Sequence, residues 1–341
     1  MAVLHVLCVG ADGMLTHTVR LLNGMWLPFG DVRSVVLGEN PGSPDPVAFN
    51  DVACAGVGND LQLCGLTRGG GVVHTIRALD GKWPFGFGDV LAVAGPVGRQ
   101  ADVGSVGAAG VPNQLRACAA IRTTTGGGNV SPDYELFETI RNSVGSWHPF
   151  VNHGGSFSDV SLAMAGGLLH FCGITLEQGG GGAHMLNHAL KSGSTWTPFG
   201  DVKSVVLAEN PRSLDPGDFY GVSCAGIDDE LHICALSDGH LFHTIRRANG
   251  TFFPFRDVVT DIVQENPGSP SPRWITNVSC VGVNRELHIA CVDDTGMLWH
   301  TIRRADTTFF PLGDVKGVVL SENPGSLNPG KIATVAVADS F

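Results

Sequence analysis

One phrase, repeated six times, limits this chain more than any other feature. His17-Thr18-Val19-Arg20 is followed, nine residues after the histidine, by Trp26 and then by Pro28-Phe29-Gly30-Asp31-Val32. The phrase returns at His74–Arg77 with Trp83 and Gly88-Asp89-Val90, and at Glu138–Arg141 with Trp147. It returns again at Asn187–Leu190 with Trp196, at His243–Arg246 with Phe252 and Asp257-Val258, and at His300–Arg303 with Phe309 and Gly313-Asp314-Val315. Repeats of this length belong to stacked or ring-forming folds. The starts at 17, 74, 138, 187, 243 and 300 are separated by 57, 64, 49, 56 and 57 residues, and counting from 300 through the C-terminus back to 17 takes 58. A linear array has no reason to complete a whole period across its termini, whereas a ring closed between its first and last copies does.

The ends agree with a ring. Other copies open with a short apolar strand such as Val52–Gly56, Val222–Gly226 or Val278–Gly282. The first copy has no such strand before Leu4, but the chain ends in Ala333-Thr334-Val335-Ala336-Val337-Ala338. The expectation is an all-β, six-bladed β-propeller of four-stranded antiparallel blades over residues 1–341, with residues 331–341 completing the first blade. Closing the ring in this way protects strand edges. With 47 glycines, 19 prolines and only 16% charged residues, the composition favours short strands and tight turns over helices. Within a copy the innermost strand is small-residue-rich, the second runs like Leu231–Leu236 and the third like Leu241–Arg246. The fourth strand is expected to carry the aromatic and Pro-Phe segment, where an edge tolerates proline.

Cysteines and histidines follow the same register. Cys8, Cys64, Cys118, Cys172, Cys234 and Cys291 fall on second strands, with Cys291 one residue late, and Cys54, Cys224 and Cys280 on innermost ones. Thiols repeated in this way read as small buried apolar groups, not as a disulfide framework, and suit a reducing compartment. His5, His170, His232 and His288 share a second-strand position, and His17, His74, His243 and His300 a third-strand one. A packing set of His243, Thr244, Phe252 and Asp257, with Arg246 paired to Asp257, stands beside a direct binding role for the same residues.

Several function classes lose support at this stage. The net charge is −11 and no basic cluster exceeds a pair, so nucleic acid is not expected as a partner. No apolar run is long enough to span a membrane. The N-terminus reads as a strand and not a signal peptide, so the chain is expected to be cytoplasmic as synthesised, with release by a non-signal route left open. No metal-ligand spacing, P-loop, nucleophile elbow or D-x-D-x-D-G loop occurs, and the glycine runs 69–71, 126–128 and 179–182 read as turns. No catalytic residue, metal or cofactor is expected. Opposed carboxylates of the glycosidase kind do not stand out as one unique pair.

The phrase D-G-x-L-x-H-T-I-R, a short spacer, an aromatic and P-F-G-D-V resembles the repeat of bacterial β-propeller lectins of the Photorhabdus type. More distantly it resembles six-bladed fucose lectins of the Aleuria type. The resemblance runs through all six copies. It implies a non-enzymatic, multivalent carbohydrate-binding protein that recognises monosaccharide units such as fucose on glycans, in clefts between blades. An arginine and an acid would hold the hydroxyls, and a ring would stack on the apolar face. The matching arginines are Arg20, Arg77, Arg141, Arg246 and Arg303, and the rings are Trp26, Trp83, Trp147, Trp196, Phe252 and Phe309. The acids come from a second repeated phrase, E-N-P-x-S, as Glu39, Glu209, Glu265 and Glu322; the same phrase is also good turn chemistry. Copy four departs, with Leu190 in the arginine position and Asn187 in the histidine position. Pockets are expected where one copy has both arginine and acid, namely Arg20 with Glu39, Arg246 with Glu265 and Arg303 with Glu322, with Trp26 as the favoured ring. The alternatives are a protein-interaction scaffold and a propeller glycan hydrolase.

Overall fold

The computed structural model describes residues 3–95, 102–122, 134–176 and 184–340, so the glycine runs at 126–128 and 179–182 lie outside the described residues. The chain forms six antiparallel sheets arranged as the blades of a propeller. Blade one is closed by its two ends: Ile332–Ser340 pairs with Val3–Gly10, which pairs in turn with Leu15–Arg20 and then with Gly30–Asp31. Blade two runs Phe49–Val57, Asp60–Thr67, Val72–Arg77, Gly88–Asp89, and blade three Asp102–Val111, Gln114–Arg122, Tyr134–Arg141, Val151–Gly154. Blade four runs Phe157–Ala165, Leu168–Leu176, His184–Ser192, with Thr195–Trp196 and Gly200–Asp201 both on its outer edge. Blade five is Gly221–Ile227, Glu230–Ser237, His240–Arg246, Arg256–Asp257, and blade six Ile275–Val283, Glu286–Asp293, Leu298–Arg303, Gly313–Asp314.

The outer strand differs from the expectation. Trp26, Trp147, Phe252 and Phe309 touch the third strand only through single bridges, to Arg20, Arg141, Arg246 and Arg303. The ladder proper is mostly two residues long, as at Gly30-Asp31. The threonine that follows the histidine of the repeated phrase closes the gap, as where Thr18 Oγ1 donates to the Leu27 carbonyl and Thr244 Oγ1 to that of Phe253. The aspartate of G-D-V then caps a helix. Among the described residues the helices are α1 (Val32–Glu39), α2 (Val90–Ala94), α3 (Val202–Glu209), α4 (Val258–Glu265) and α5 (Val315–Glu322). Asp31, Asp89, Asp201, Asp257 and Asp314 each accept a backbone N–H three residues on. The expected Arg246–Asp257 pair is therefore absent: Asp257 is held by the Thr260 amide and by His240. E-N-P-x-S does form a turn, with the Ser43 N–H donating to the Asn40 carbonyl at 3.0 Å, and it also ends a helix. The glutamate is the last helical residue and the asparagine the C-cap, and α2, without that phrase, stops after five residues.

The inner ring is held by side chains that accept the next blade's amides. Asp51 takes the Val106 N–H at 3.3 Å, Asp159 that of Val222 at 2.8 Å and Asn277 that of Val335 at 2.9 Å. One layer along, Ser161, Ser223 and Ser279 take those of Cys224, Cys280 and Val337. These residues line a central channel of about 250 Å³. All nine cysteines are free and buried. His5 pairs across its sheet with Val19 where Gln62 pairs with Ile76, which aligns Cys64 with Leu7 and sets Cys8, like Cys291, one residue late.

Burial, together with the charge of Asp159, raises the Asp51 carboxyl to about 7, partly offset by the two amides it accepts. A raised carboxyl weakens folding progressively as pH rises from its unfolded value near 4 to its folded value near 7, and by a constant amount above that. Asn277 makes the same bond from the same position, so asparagine fits there. Asp51→Asn is expected to raise the melting temperature at pH 8.5 by an amount corresponding to about 1–3 kcal/mol, discounted for channel water. At pH 5.5 the gain should be about half as large, because the penalty is only partly developed there. An equal effect at both pH values would show that the carboxyl is not the source.

Candidate functional site

The clefts between blades share one plan, set by how the third strand ends. Its arginine lies over the glycine of the following turn; a Cβ on Gly24, Gly81, Gly145 or Gly250 would come within 3.0–3.4 Å of the Nη2 of Arg20, Arg77, Arg141 or Arg246. Arg20, Arg77, Arg141, Arg246 and Arg303 are half-buried, and no hydrogen bond or ion pair joins any of their guanidiniums to another described residue. Each faces the preceding blade, where it lies close enough to disfavour charging of the histidines: Arg77 those of blade one, Arg246 those of blade four, Arg303 those of blade five and Arg20 those of blade six.

Those histidines form buried neutral pairs. The second-strand ring meets the third-strand ring at 2.9–3.2 Å in His5–His17, His170–His188, His232–His243 and His288–His300, while His74 meets Gln62 at 2.8 Å. Burial first, then the facing arginine, lowers His5, His74 and His232 to about 3 and His170 and His288 to about 4. The recurrent histidines therefore pack blades together.

His188, not Asn187, belongs to this set. It stands opposite Gly200 as His17 stands opposite Gly30, and Lys191 pairs with Trp196 where Arg20 bridges to Trp26. Copy four has a turn one residue shorter, so the expected assignment of Asn187 and Leu190 to the repeat positions was one residue early, and its cation is Lys191.

The glutamates of E-N-P-x-S are bonded in the next copy. Glu39 Oε2 accepts the Trp83 N–H at 2.6 Å, Glu209 that of Phe252 at 2.6 Å, Glu265 that of Phe309 at 2.6 Å and Glu322 that of Trp26 at 3.2 Å. The neighbouring asparagines hold the same residues' carbonyls, as where Asn40 Nδ2 donates to Trp83 O at 2.8 Å. The expected sets Arg20 with Glu39, Arg246 with Glu265 and Arg303 with Glu322 therefore have their acids bonded in the following blade, where Glu39 lies near Arg77 and Glu265 near Arg303. Helices α1, α3, α4 and α5 each span to the next blade and deliver their last carboxylate there.

The rings are placed differently from the expectation as well. Trp26, Trp83, Phe252 and Phe309 are 3–6% exposed and pack into the blade before them, Trp26 edge-on to His300 and Trp83 to His17. At that burial they have no open face on which a ligand can stack. Trp147 and Trp196 are partly exposed. Because successive residues alternate sides, Phe253 turns away from blade four toward blade six, and Phe310 toward blade one. Both are exposed, at 36% and 38%, and each is backed by a guanidinium 3.7 Å away, Arg247 and Arg304 respectively. The same two clefts gain a second acid at the start of the preceding blade's second strand. Glu230 lies close enough to favour the charged form of Arg303, and Glu286 that of Arg20, against the larger effect of burial. Sequence reasoning missed both, although Glu-Leu-His-Ile occurs at 230–233 and 286–289.

The cleft between blades three and four is filled from within. Glu138, 3% exposed, accepts from Arg116 at 3.1 Å, His153 at 3.0 Å, Trp196 Nε1 at 3.2 Å and Lys191. Burial opposes its ionisation, but the hydrogen bonds from His153 and Lys191 and the charges of Lys191 and Arg116 hold it at about 2. Between blades two and three stand Arg141 and Trp147, without a glutamate from α2. Among the described residues no group of three metal-ligating side chains converges, and no helix is long and apolar enough to cross a membrane.

No protein-family model and no curated protein sequence matches the chain. Solved structures share the fold at low identity. AofleA from Arthrobotrys oligospora is 12% identical, with a TM-score of 0.59 over 96% of this chain and 83% of that one. The Aleuria aurantia lectin, solved in complex with Fucalpha1-6GlcNAc, is 11% identical, with a TM-score of 0.58 over 91% of this chain and 90% of that one. Trypanosoma rangeli sialidase, solved with the inhibitor DANA, is 12% identical, with a TM-score of 0.55 over 78% of this chain but 48% of its own.

Proposed function

We propose that the protein is a multivalent lectin that binds monosaccharide units of glycans, fucose among them, in the clefts between blades. The observation that carries this is the recurrence of a half-buried, unengaged guanidinium beside a carboxylate delivered by the neighbouring blade. Such a pair holds vicinal hydroxyls through charge-assisted bonds. A set of weak sites on one rigid ring gains avidity on a glycan-covered surface. Four clefts carry both groups, and two of them, around Arg303 and Arg20, add a second acid and the exposed rings of Phe253 and Phe310. Those two are the sites we favour. The expectation of Trp26 as the stacking ring is not retained, since its faces are covered.

Calorimetry with methyl α-L-fucoside tests this by stoichiometry. Arg20→Ala with Arg303→Ala is expected to remove two sites, each losing about 1.5–3 kcal/mol, with the melting temperature nearly unchanged. Full stoichiometry in the folded double variant would place binding elsewhere. A glycan hydrolase is the competing reading, since a sialidase shares the fold; release of free sugar from a glycan by the purified protein would favour it over the lectin.

A further inference from the structure

Of the six tryptophans, Trp274 alone is exposed, at 45%. Nothing in the repeat requires a ring there. The matching residue, just before the inner strand, is Ala48 in blade two, Asp218 in blade five and Lys331 in blade one. The indole lies on Gly239 (φ 77°): a Cβ there would fall 2.5 Å from the ring's Cδ2 and 2.6 Å from Cε3, so only glycine lets the ring settle. The platform is clamped by backbone bonds. Ile275 N–H donates to the Gly239 carbonyl at 2.9 Å, and Asp294 N–H to that of Trp274 at 2.9 Å. Tyr220 Oη accepts the Gly239 N–H at 3.2 Å and donates to the Ile275 carbonyl at 2.5 Å. One indole face is therefore covered and fixed, and the other meets solvent.

Three polar residues adjoin the indole through the backbone. Asp238 and His240 flank Gly239 in the chain, Asp294 is tied to the Trp274 backbone, and all three are exposed. Among the described residues neither the Asp238 nor the Asp294 carboxylate has a side-chain partner, whereas His240 Nδ1 lies 2.8 Å from Asp257. We propose that Trp274, with Asp238, His240 and Asp294, forms a second carbohydrate site, in which the C–H face of a neutral pyranose stacks on the indole and its hydroxyls donate to the carboxylates. The acids disfavour an anionic ligand. This site lies at the turns between second and third strands. The arginines close the third strands at the other end, so the two kinds of site occupy opposite faces of the ring. One molecule could then bridge two glycan surfaces.

The site stands apart from the interblade reading, and the test separates them. Acrylamide quenching of tryptophan fluorescence is measured with methyl α-L-fucoside, methyl β-D-galactoside and methyl α-D-mannoside as probes. At least one glycoside is expected to shield the wild type. Trp274→Ala should weaken that apparent affinity by about tenfold or more, Trp274→Tyr should keep most of it, and the Arg20→Ala/Arg303→Ala protein should keep all of it. No shielding by any glycoside, or equal shielding in Trp274→Ala, overturns the proposal. Shielding by choline chloride alone overturns it in favour of a quaternary-ammonium site, which an indole bordered by carboxylates would also accept.

Discussion

Between pH 7 and pH 5 the ring is expected to lose most or all of its stability. Eight histidines, at positions 5, 17, 74, 170, 232, 243, 288 and 300, are 2–8% exposed. Burial lowers all of them, five to about 3 or 4 and His17, His243 and His300 well below the ordinary value. A group whose folded pKa is depressed contributes stability that is complete above its unfolded value, near 6.5. That stability is lost as pH falls through 6.5 toward 3 or 4. At pH 5 each such site disfavours the folded state by about 2 kcal/mol. Counting one proton for each hydrogen-bonded pair, and one for His74, the sum is on the order of 8–10 kcal/mol. That compares with a typical net stability of about 5–15 kcal/mol. Circular dichroism against pH should show a cooperative transition well above the range in which carboxylates titrate. His5→Gln should move its midpoint to lower pH, because Gln62 already fills that position in blade two. A fold unchanged down to pH 4 would mean that the pairs accept protons without cost. Asp51 acts in the opposite direction between about pH 4 and 7, so it offsets part of the acid loss and adds no further change above pH 7.

Those histidines also show what the sequence could reveal. Their recurrence every 57 residues or so was legible, as were the blades and the closure, because a period needs no knowledge of contacts. The site was legible only as residue types. That Glu39 serves the next blade's Trp83 depends on where α1 ends, and the helices themselves went unread. Their signal was present, however, in an aspartate cap followed by Val32 and Val36 at helical spacing. The nine-residue step from His17 to Trp26 fixes the ring's place in the chain but not its side of the edge strand. The buried side won for Trp26 and the exposed side for Phe253. Copy four failed for a simpler reason. Deleting one turn residue leaves Asn187 nine residues from Trp196, and only the strand register shows that His188 is the true counterpart.

Removing residues 331–341 is expected to destroy the closed ring. Ile332–Ser340 is the inner strand of blade one and pairs with Val3–Gly10 from Val3↔Ser340 to Gly10↔Ile332. It buries Ile332, Val335 and Val337 at 1–5% exposure among residues of blades one and six. Burial of these three side chains alone is worth about 5–8 kcal/mol. Two bonds from blade six would also be lost, Asn277 Oδ1 to the Val335 N–H and Ser279 Oγ to the Val337 N–H. On the other side Asp339 runs so close to blade two that a Cβ on Gly56 would fall 2.0 Å from its carbonyl oxygen, and that contact would go as well. The Val3–Gly10 strand would then present an unpaired edge, which favours association between molecules. The truncated protein should therefore melt at least 15 °C lower or fail to fold, and should aggregate on size exclusion. A synthetic peptide of residues 331–341 supplied in trans should restore a monodisperse ring by strand addition. Peptide rescue separates loss of closure from general damage. Unchanged melting and elution of the truncated chain would show that the ring does not depend on its C-terminal strand.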